Sequence, residues 1–195
     1  SGLIGAAFLA LALNSGRHGM HGPFIFYFLL SGFPILLPTL WRNCGWLGPV
    51  RQRFLTAQNE VWLTLDDGPN PHETPEILDV LSEHQAKATF FVVGKNVARW
   101  PHLARMIVER GHSIQNHTFH HRSATFWAAT PADVRREIAL CNEAIFAVTG
   151  TMPAQFRAPV GMANLFVHAE VEKAGLKMIG WSASGNDGVA HKPAK

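Results

Sequence analysis

Short apolar runs alternate with helix-like stretches from Glu60 onward, and this alternation constrains the fold more than any other feature of the chain. Thr130-Pro131 and Gly150 are start and stop signals around the longest predicted helix. A strand followed by a helix, repeated about five times, is typical of a parallel α/β sheet or barrel. The predicted strands cover residues 61–65, 88–93, 112–116, 155–158 and 176–181, and the predicted helices cover residues 74–85, 101–110, 130–148 and 164–174.

Two apolar runs precede this region, at residues 3–13 and 23–41. The second has 19 residues without a charge, which reaches the length that spans a bilayer. A signal peptide and a buried core helix are the alternatives, although the sequence after the run is a poor cleavage site. We therefore expect residues 1–53 to be a hydrophobic membrane-anchor region with one or two transmembrane helices, and residues 54–195 to be a separate domain.

The distribution of charge separates these two regions. No acidic residue precedes Glu60, whereas the chain from residue 54 onward carries 13 basic and 14 acidic residues. That balance argues against a nucleic-acid partner. Three basic residues follow the second apolar run and one lies between the runs, so the positive-inside rule favours a cytoplasmic body. These residues are Arg42, Arg51 and Arg53 after the run and Arg17 before it.

Candidate catalytic residues follow the predicted strands, where parallel α/β folds build their sites. Asp66 and Asp67 are adjacent carboxylates at a strand end, although Asp-Gly-Pro is also ordinary turn chemistry. Arg157 follows a later strand, where it would hold a carboxylate or a substrate oxygen, or form a structural ion pair. Trp181 and Asp187 follow the last predicted strand, and each would also suit the core or the surface.

Three histidines stand within five residues after the third predicted strand. His117 and His121 are four apart, a spacing that places two imidazoles on one face of a helical turn and suits a divalent metal. His120 leaves the register open, and a polar surface turn is the alternative. A zinc-protease motif needs Glu directly after the first His, where this chain has Thr118.

The order of these motifs closely resembles the polysaccharide deacetylase (NodB-homology) family, carbohydrate esterase family 4. The resemblance covers about residues 60 to 190, and the motif from Trp181 to Asp187 is a looser match than the others. The three specific motifs are Thr-Leu-Asp-Asp-Gly-Pro at 64–69, Gly-His-Ser-Ile-Gln-Asn-His-Thr-Phe-His-His at 111–121 and Phe-Arg-Ala-Pro-Val-Gly at 156–161.

The resemblance implies an incomplete (β/α) barrel of the NodB type, with the C-terminal strand missing from this sequence, and a metal site at its open end. Asp67, His117 and His121 would ligate a divalent metal, expected to be Zn²⁺, which excludes His120 from the set. Two His, one carboxylate and an open position are typical of a hydrolytic zinc site. Asp66 would be the general base toward the attacking water, and Arg157 would orient Asp66.

The resemblance also assigns substrate contacts. The backbone N–H of Val160 would stabilise the oxyanion, and Pro159, Gly161 and Trp181 would line the substrate groove. Asp187, assigned as catalytic, would line the groove or support a catalytic His. The implied reaction removes N-acetyl or N-formyl groups from an amino sugar in a glycan or in a lipid-linked sugar.

Two departures from the family pattern leave an alternative open. The family's general acid lies in a Leu-x-His motif on a final strand, which is absent from this sequence, and His191 is in the wrong context to replace it. Ser184 stands where many members have Asp. A metal- or glycan-binding pseudoenzyme of the same fold is therefore the alternative, although retention of Asp66 and Arg157 favours an enzyme.

Overall fold

Five parallel strands form one sheet in the computed structural model, which describes residues 2–19 and 21–185. The strand order follows the chain, so each connection runs forward to the neighbouring strand and the sheet curls as a half-barrel. The expected parallel α/β architecture is thus confirmed. The strands are β1 (Leu63–Leu65), β2 (Ala88–Val92), β3 (Ser113–Asn116), β4 (Gln155–Phe156) and β5 (Lys177–Met178).

Seven α-helices accompany the sheet within the described residues. The four helices predicted after Glu60 are present with ends shifted by one or two residues. One helix of six residues, between β2 and the next predicted helix, was not predicted, because it is too short for an apolar period and no side chain caps it. The helices are α1 (Gly2–Arg17), α2 (His21–Leu40), α3 (Glu73–Glu83), α4 (Gly94–Arg99), α5 (Pro101–Glu109), α6 (Pro131–Thr149) and α7 (Leu165–Lys173).

The longest helix of the body ends where its capping residues predict. The side chain of Thr130 accepts a hydrogen bond from the backbone N–H of Asp133, which satisfies a donor in the first turn. Gly150 terminates the helix with φ 68°, in the left-handed region that glycine adopts without strain. Local sequence alone therefore fixes both ends of α6.

The apolar core lies between the sheet and the helices. Every residue of β2 is buried, as its continuous apolar run predicts. One cluster packs α3, α4, α5 and α6 against β2 and β3, and a second packs α6 and α7 against β4 and β5. The predicted strands 155–158 and 176–181 are longer than β4 and β5, because residues 157–158 and 180–181 leave the ladder to form the site described below.

Helices α1 and α2 pack against each other. The ring of Phe8 stacks on Tyr27 with centroids 6.4 Å apart. A Cβ atom on Gly5 would lie 2.9 Å from the carbonyl oxygen of Ser31, so a glycine permits this close approach. Helix α2 is the one described helix that is long and apolar enough to cross a membrane, with mean hydropathy 1.7. Only 11% of that stretch is buried, unlike a core helix, although a signal sequence near an N-terminus has the same properties.

The chain between α2 and β1 lies along the free edge of β5. Arg51 forms a parallel bridge with Ile179, since its N–H donates to Met178 O at 3.0 Å and its carbonyl accepts from Gly180 N at 2.8 Å. The end of the predicted anchor region therefore contacts the sheet directly. Asp187 and His191 lie outside the described residues.

Candidate metal and catalytic site

The candidate residues converge at the carboxyl end of the sheet. Asp66 and Asp67 follow β1, the histidine-rich turn 117–121 follows β3, and the loop 157–161 follows β4. Because the strands are parallel, their carboxyl ends share one edge, which is where ligand sites form in such sheets. The structure thus gathers motifs that are separated by 50 and 40 residues in the sequence.

Asp67, His117 and His121 form a compact cluster. Oδ1 of Asp67 lies 3.0 Å from Nε2 of His121 and 3.5 Å from Nε2 of His117. One donor atom from each residue lies within 4.8 Å of the others, and no other such group of His, Cys, Asp or Glu occurs in the described ranges. Two imidazoles and a carboxylate are a donor set that suits zinc and neighbouring divalent metals. The cluster therefore fits a metal ion.

The turn that carries the two histidines is not a helix, so the helical face predicted from their spacing is wrong, although the two imidazoles do lie close together. Thr118 and His121 adopt left-handed backbone conformations, with φ of 66° and 52°. The Thr118 hydroxyl accepts from the His121 N–H at 3.1 Å, and the Asn116 side chain accepts from the Thr118 N–H at 2.8 Å. These two side-chain bonds fold the turn back on itself and bring the imidazoles together.

The contacts around the cluster prepare it for a cation. Contact with the His117 imidazole lowers the pKa of Asp67 and favours its ionised form. Burial, and then the neighbouring His117, lower the pKa of His121 and favour its neutral form. An ionised carboxylate and neutral imidazoles are the forms that ligate metals.

Asp66 is paired with a buried arginine on the neighbouring loop. Nη1 of Arg157 donates to Oδ1 of Asp66 at 2.7 Å, and the Arg157 side chain is only 3% exposed. Burial lowers the pKa of Arg157 from its ordinary value, although the adjacent Asp66 opposes this. The guanidinium also lies 4.1 Å from the ring centre of Phe91. Its remaining hydrogen bonds go to Thr64 Oγ1, Gly180 O and Ile179 O.

His120 points away from the cluster and contacts Glu137 of α6. Nδ1 of His120 lies 2.7 Å from Oε1 of Glu137, and Oε2 accepts from the backbone N–H groups of Phe119 and His120. Sequence reasoning missed Glu137, although a signal was present. Glu137 lies on the same helical stripe as Val134 and Ile138, and a carboxylate on an apolar stripe indicates buried partners.

The predicted substrate residues form one wall beside Arg157. Val160 adopts φ 50° and Gly161 φ 71°, so the loop after Pro159 turns sharply. A Cβ atom on Gly161 would lie 2.6 Å from the Trp181 ring, so this contact requires glycine. Trp181 in turn lies 5.5 Å from the Arg157 guanidinium. The geometry brings Pro159, Val160, Gly161 and Trp181 to the site, and their roles toward a substrate remain predictions.

A parallel α/β half-barrel carries an Asp-His-His cluster and an arginine-held carboxylate at its strand ends. This combination of fold and site defines the class of protein to which the chain belongs. Residues 55–179 match the family model of polysaccharide deacetylase. The match covers more than half of the chain, and the chain therefore belongs to the polysaccharide deacetylase family.

Three relatives illustrate the range of this family. The chain is 41% identical over 141 residues to a chitooligosaccharide deacetylase of Bradyrhizobium sp. (strain ANU 289), covering 71% of this chain and 64% of the relative. It is 38% identical over 131 residues to a peptidoglycan-N-acetylglucosamine deacetylase of Listeria monocytogenes, covering 67% of this chain and 27% of the relative. The solved structure of a carbohydrate esterase family 4 pseudoenzyme from Bacillus anthracis superposes on this chain with TM-score 0.60 at 26% identity. The superposition covers 65% of this chain and 44% of the pseudoenzyme. The chain thus spans less than two thirds of these relatives.

Proposed function

We propose that this protein is a metal-dependent N-deacetylase that hydrolyses the acetamide of an N-acetylated amino sugar in a glycan. One observation carries the proposal: a carboxylate held by a buried arginine, Asp66 with Arg157, directly precedes the Asp67 of the Asp-His-His cluster. The names of the chitooligosaccharide and peptidoglycan-N-acetylglucosamine deacetylases support the same substrate class. An N-formyl amino sugar is chemically close enough to be an alternative substrate.

Asp67, His117 and His121 would hold the metal. When bound, a divalent metal such as Zn²⁺ lowers the pKa of water and polarises a carbonyl oxygen. Asp66 takes the proton of the attacking water. The hydrogen bond from Arg157 orients the Asp66 carboxylate through Oδ1 and does not involve its second oxygen. The N–H of Val160 would donate to the oxygen that becomes negative as water adds to the acetamide carbon. Asp187 is proposed to assist the general acid.

A pseudoenzyme is the second candidate function. The solved Bacillus anthracis pseudoenzyme shares this fold, and a mutant of it, 28% identical to this chain at TM-score 0.60, has restored enzymatic activity. The fold alone therefore does not distinguish enzyme from pseudoenzyme. A protein that only binds glycan or metal needs neither a base nor an arginine to hold it, so the Asp66–Arg157 pair favours the enzyme.

We also propose that residues 1–53 anchor the protein in a bacterial inner membrane and that residues 54–195 form the catalytic domain. The exposed apolar surface of α2 supports the anchor. Arg42, Arg51 and Arg53 follow α2, which favours a cytoplasmic body by the positive-inside rule.

Acetate release tests the proposed function. The full chain, purified in detergent and supplied with Zn²⁺, is incubated with chitotetraose, and released acetate is measured beside Asp66→Asn. We expect acetate from the wild type and a loss of about 100-fold or more in the variant, which lacks the base. Binding of chitotetraose by both proteins without acetate release would instead support the pseudoenzyme.

A further inference from the structure

Residues 43–52, here called the strap, attach the end of the apolar helix to the wall of the candidate site. The N–H of Asn43 donates to Gly161 O at 2.8 Å, and Nδ2 of Asn43 donates to Trp181 O at 3.2 Å. Asn43 adopts φ 57°, a left-handed conformation that asparagine tolerates better than most residues. The first residue of the strap is therefore bonded to both loops that form the predicted substrate wall.

The rest of the strap is also fixed to the body. Arg51 pairs with β5 through the two backbone hydrogen bonds described above, and Gln52 Nε2 donates to Asn43 O at 2.8 Å. Gly48 packs on the His168 ring of α7, since a Cβ atom at this position would lie 2.4 Å from the ring. With contacts along its length, the strap is fixed to the catalytic domain, although it lies within the proposed anchor region.

The strap places the site close to the end of α2. This helix ends at Leu40, so only Trp41 and Arg42 separate it from Asn43. A fully extended chain covers about 3.3–3.6 Å per residue, so three steps reach roughly 11 Å at most. The turn is tighter still, because Cys44 N donates to Trp41 O at 3.1 Å. A membrane that contains α2 therefore lies within a short distance of the substrate wall.

The surface around the strap has the composition of a membrane interface. Trp41, Trp46 and Leu55 are 66%, 74% and 104% exposed. Arg42, Arg51 and Arg53 are exposed beside them, and none of the three forms an ion pair within the described part of the chain. Exposed tryptophans with unpaired arginines complement the acyl boundary and the anionic headgroups of a bilayer.

We propose that residues 41–55 rest on an anionic lipid surface and that the strap holds the active site at this surface, so that the substrate is an N-acetylated amino sugar linked to a lipid. The inference rests on the proposed deacetylase function and specifies its substrate class. A tethered site meets a membrane-borne sugar at high effective concentration, whereas a sugar in solution gains nothing from the tether.

Two substrates and one insertion test this inference. The full chain is reconstituted in vesicles of phosphatidylethanolamine and phosphatidylglycerol, and acetate release is compared for N-acetylglucosamine joined to a vesicle lipid by a diphosphate and for free chitotetraose. In the variant, about 16 Gly and Ser residues inserted between Arg42 and Asn43 add roughly 22 Å of flexible chain while leaving the strap intact. Activity on chitotetraose shows that each protein is folded.

We expect the wild type to favour the lipid-linked sugar about tenfold or more, and the insertion to lower this preference several-fold while activity on chitotetraose persists, because effective concentration falls as the tether lengthens. An unchanged ratio of the two rates in the insertion variant, or a wild type that favours chitotetraose, would overturn the membrane-surface inference and leave the deacetylase function standing. Failure of the metal-loaded wild type on both substrates would overturn the deacetylase function itself.

The charged part of the surface has its own test. Arg42→Gln with Arg53→Gln removes two unpaired cations and leaves the backbone pairing of Arg51 intact. We expect the preference of the double variant for the lipid-linked sugar to depend less steeply on the phosphatidylglycerol fraction, because two of the three cations that face the anionic surface are removed. An unchanged dependence on phosphatidylglycerol would contradict a lipid-facing role for these arginines.

Discussion

The backbone carbonyl of Arg157 lies 2.8 Å from Nδ1 of His117, on the side of the imidazole opposite Asp67. A carbonyl oxygen only accepts, so Nδ1 carries the proton and Nε2 keeps its lone pair toward the cluster. The side chain of the same Arg157 holds Asp66. One buried residue thus orients both a candidate metal ligand and the candidate base, which couples the two halves of the site.

Replacement of Arg157 is expected to cost stability as well as activity. Arg157→Met leaves Asp66 without its partner and two carbonyls without a donor, and breaking a buried pair costs about 3–5 kcal/mol. Arg99→Met is the control, since Arg99 is exposed and stacks on Trp100, a contact worth about 0.5–1 kcal/mol. Urea unfolding followed by tryptophan fluorescence measures the free energy of unfolding of both variants. Equal losses of stability in the two variants would show that the contacts of Arg157 do not stabilise the site.

The adjacent carboxylates are expected to separate chemistry from metal binding. Asp66→Asn should lower the rate of deacetylation by about 10²–10⁴-fold with metal retained, because Asp66 contacts Arg157 rather than the histidines. Asp67→Asn should release the metal, since Oδ1 of Asp67 faces both imidazoles. Metal content by mass spectrometry and acetate release distinguish the variants, and metal loss from Asp66→Asn would mean that the two roles are exchanged.

The neighbouring histidines provide a matched pair. His121→Ala removes a donor of the cluster, and we expect it to lower zinc affinity by more than the 10–100-fold typical of outer contacts. His120→Ala removes the bond to Glu137, and we expect its zinc affinity to fall by no more than about 10–100-fold. Calorimetric zinc titration measures both affinities. A greater loss from His120→Ala than from His121→Ala would reverse the assignment.

Local signals in the sequence account for much of the fold. The cap at Thr130 and the stop at Gly150 predict the ends of α6, and the apolar run of β2 predicts burial on both faces. The strands at 155–158 and 176–181 were predicted too long. The local sequence around Arg157 is typical of a strand. The hydrogen bonds of the Arg157 side chain to β1 and to the chain after β5 are tertiary contacts, and such contacts leave no local pattern in the sequence.

The parts of the site that depend on tertiary contacts were less visible. The spacing of His117 and His121 predicts a shared face on a helix, whereas left-handed turns at Thr118 and His121 create the pair. The resemblance to a known family, rather than spacing, excluded His120. The position of Asn43 against Gly161 could not be predicted, because nothing local relates residues more than 100 positions apart.

Glu137 is expected to support the metal site without contacting it. One carboxylate oxygen accepts from two backbone N–H groups of the histidine turn and the other contacts Nδ1 of His120. Glu137→Gln therefore removes the charge and replaces one of these two oxygens with an N–H₂ group. We expect zinc affinity to fall about 10–100-fold with little change in the KM for chitotetraose. Glu143→Gln, exposed on the same helix, is the control and should leave both values unchanged. If zinc affinity in Glu137→Gln equals that of the control, Glu137 only stabilises the fold.

Glu170 of α7 is expected to make stability depend on pH. Hydrogen bonds from Arg135 and then Lys173 lower the pKa of Glu170 from 4.5 to about 2. A carboxyl whose pKa is lower in the folded state stabilises the fold above the unfolded pKa, and this contribution is lost as pH falls from 4.5 toward 2. The Tm of Glu170→Gln should therefore lie clearly below wild type at pH 6 and approach it at pH 3. Scanning calorimetry at both pH values checks this, with Glu143→Gln as the control. A Tm difference of equal size at both pH values would show that the ion pairs of Glu170 do not contribute to stability through its charge.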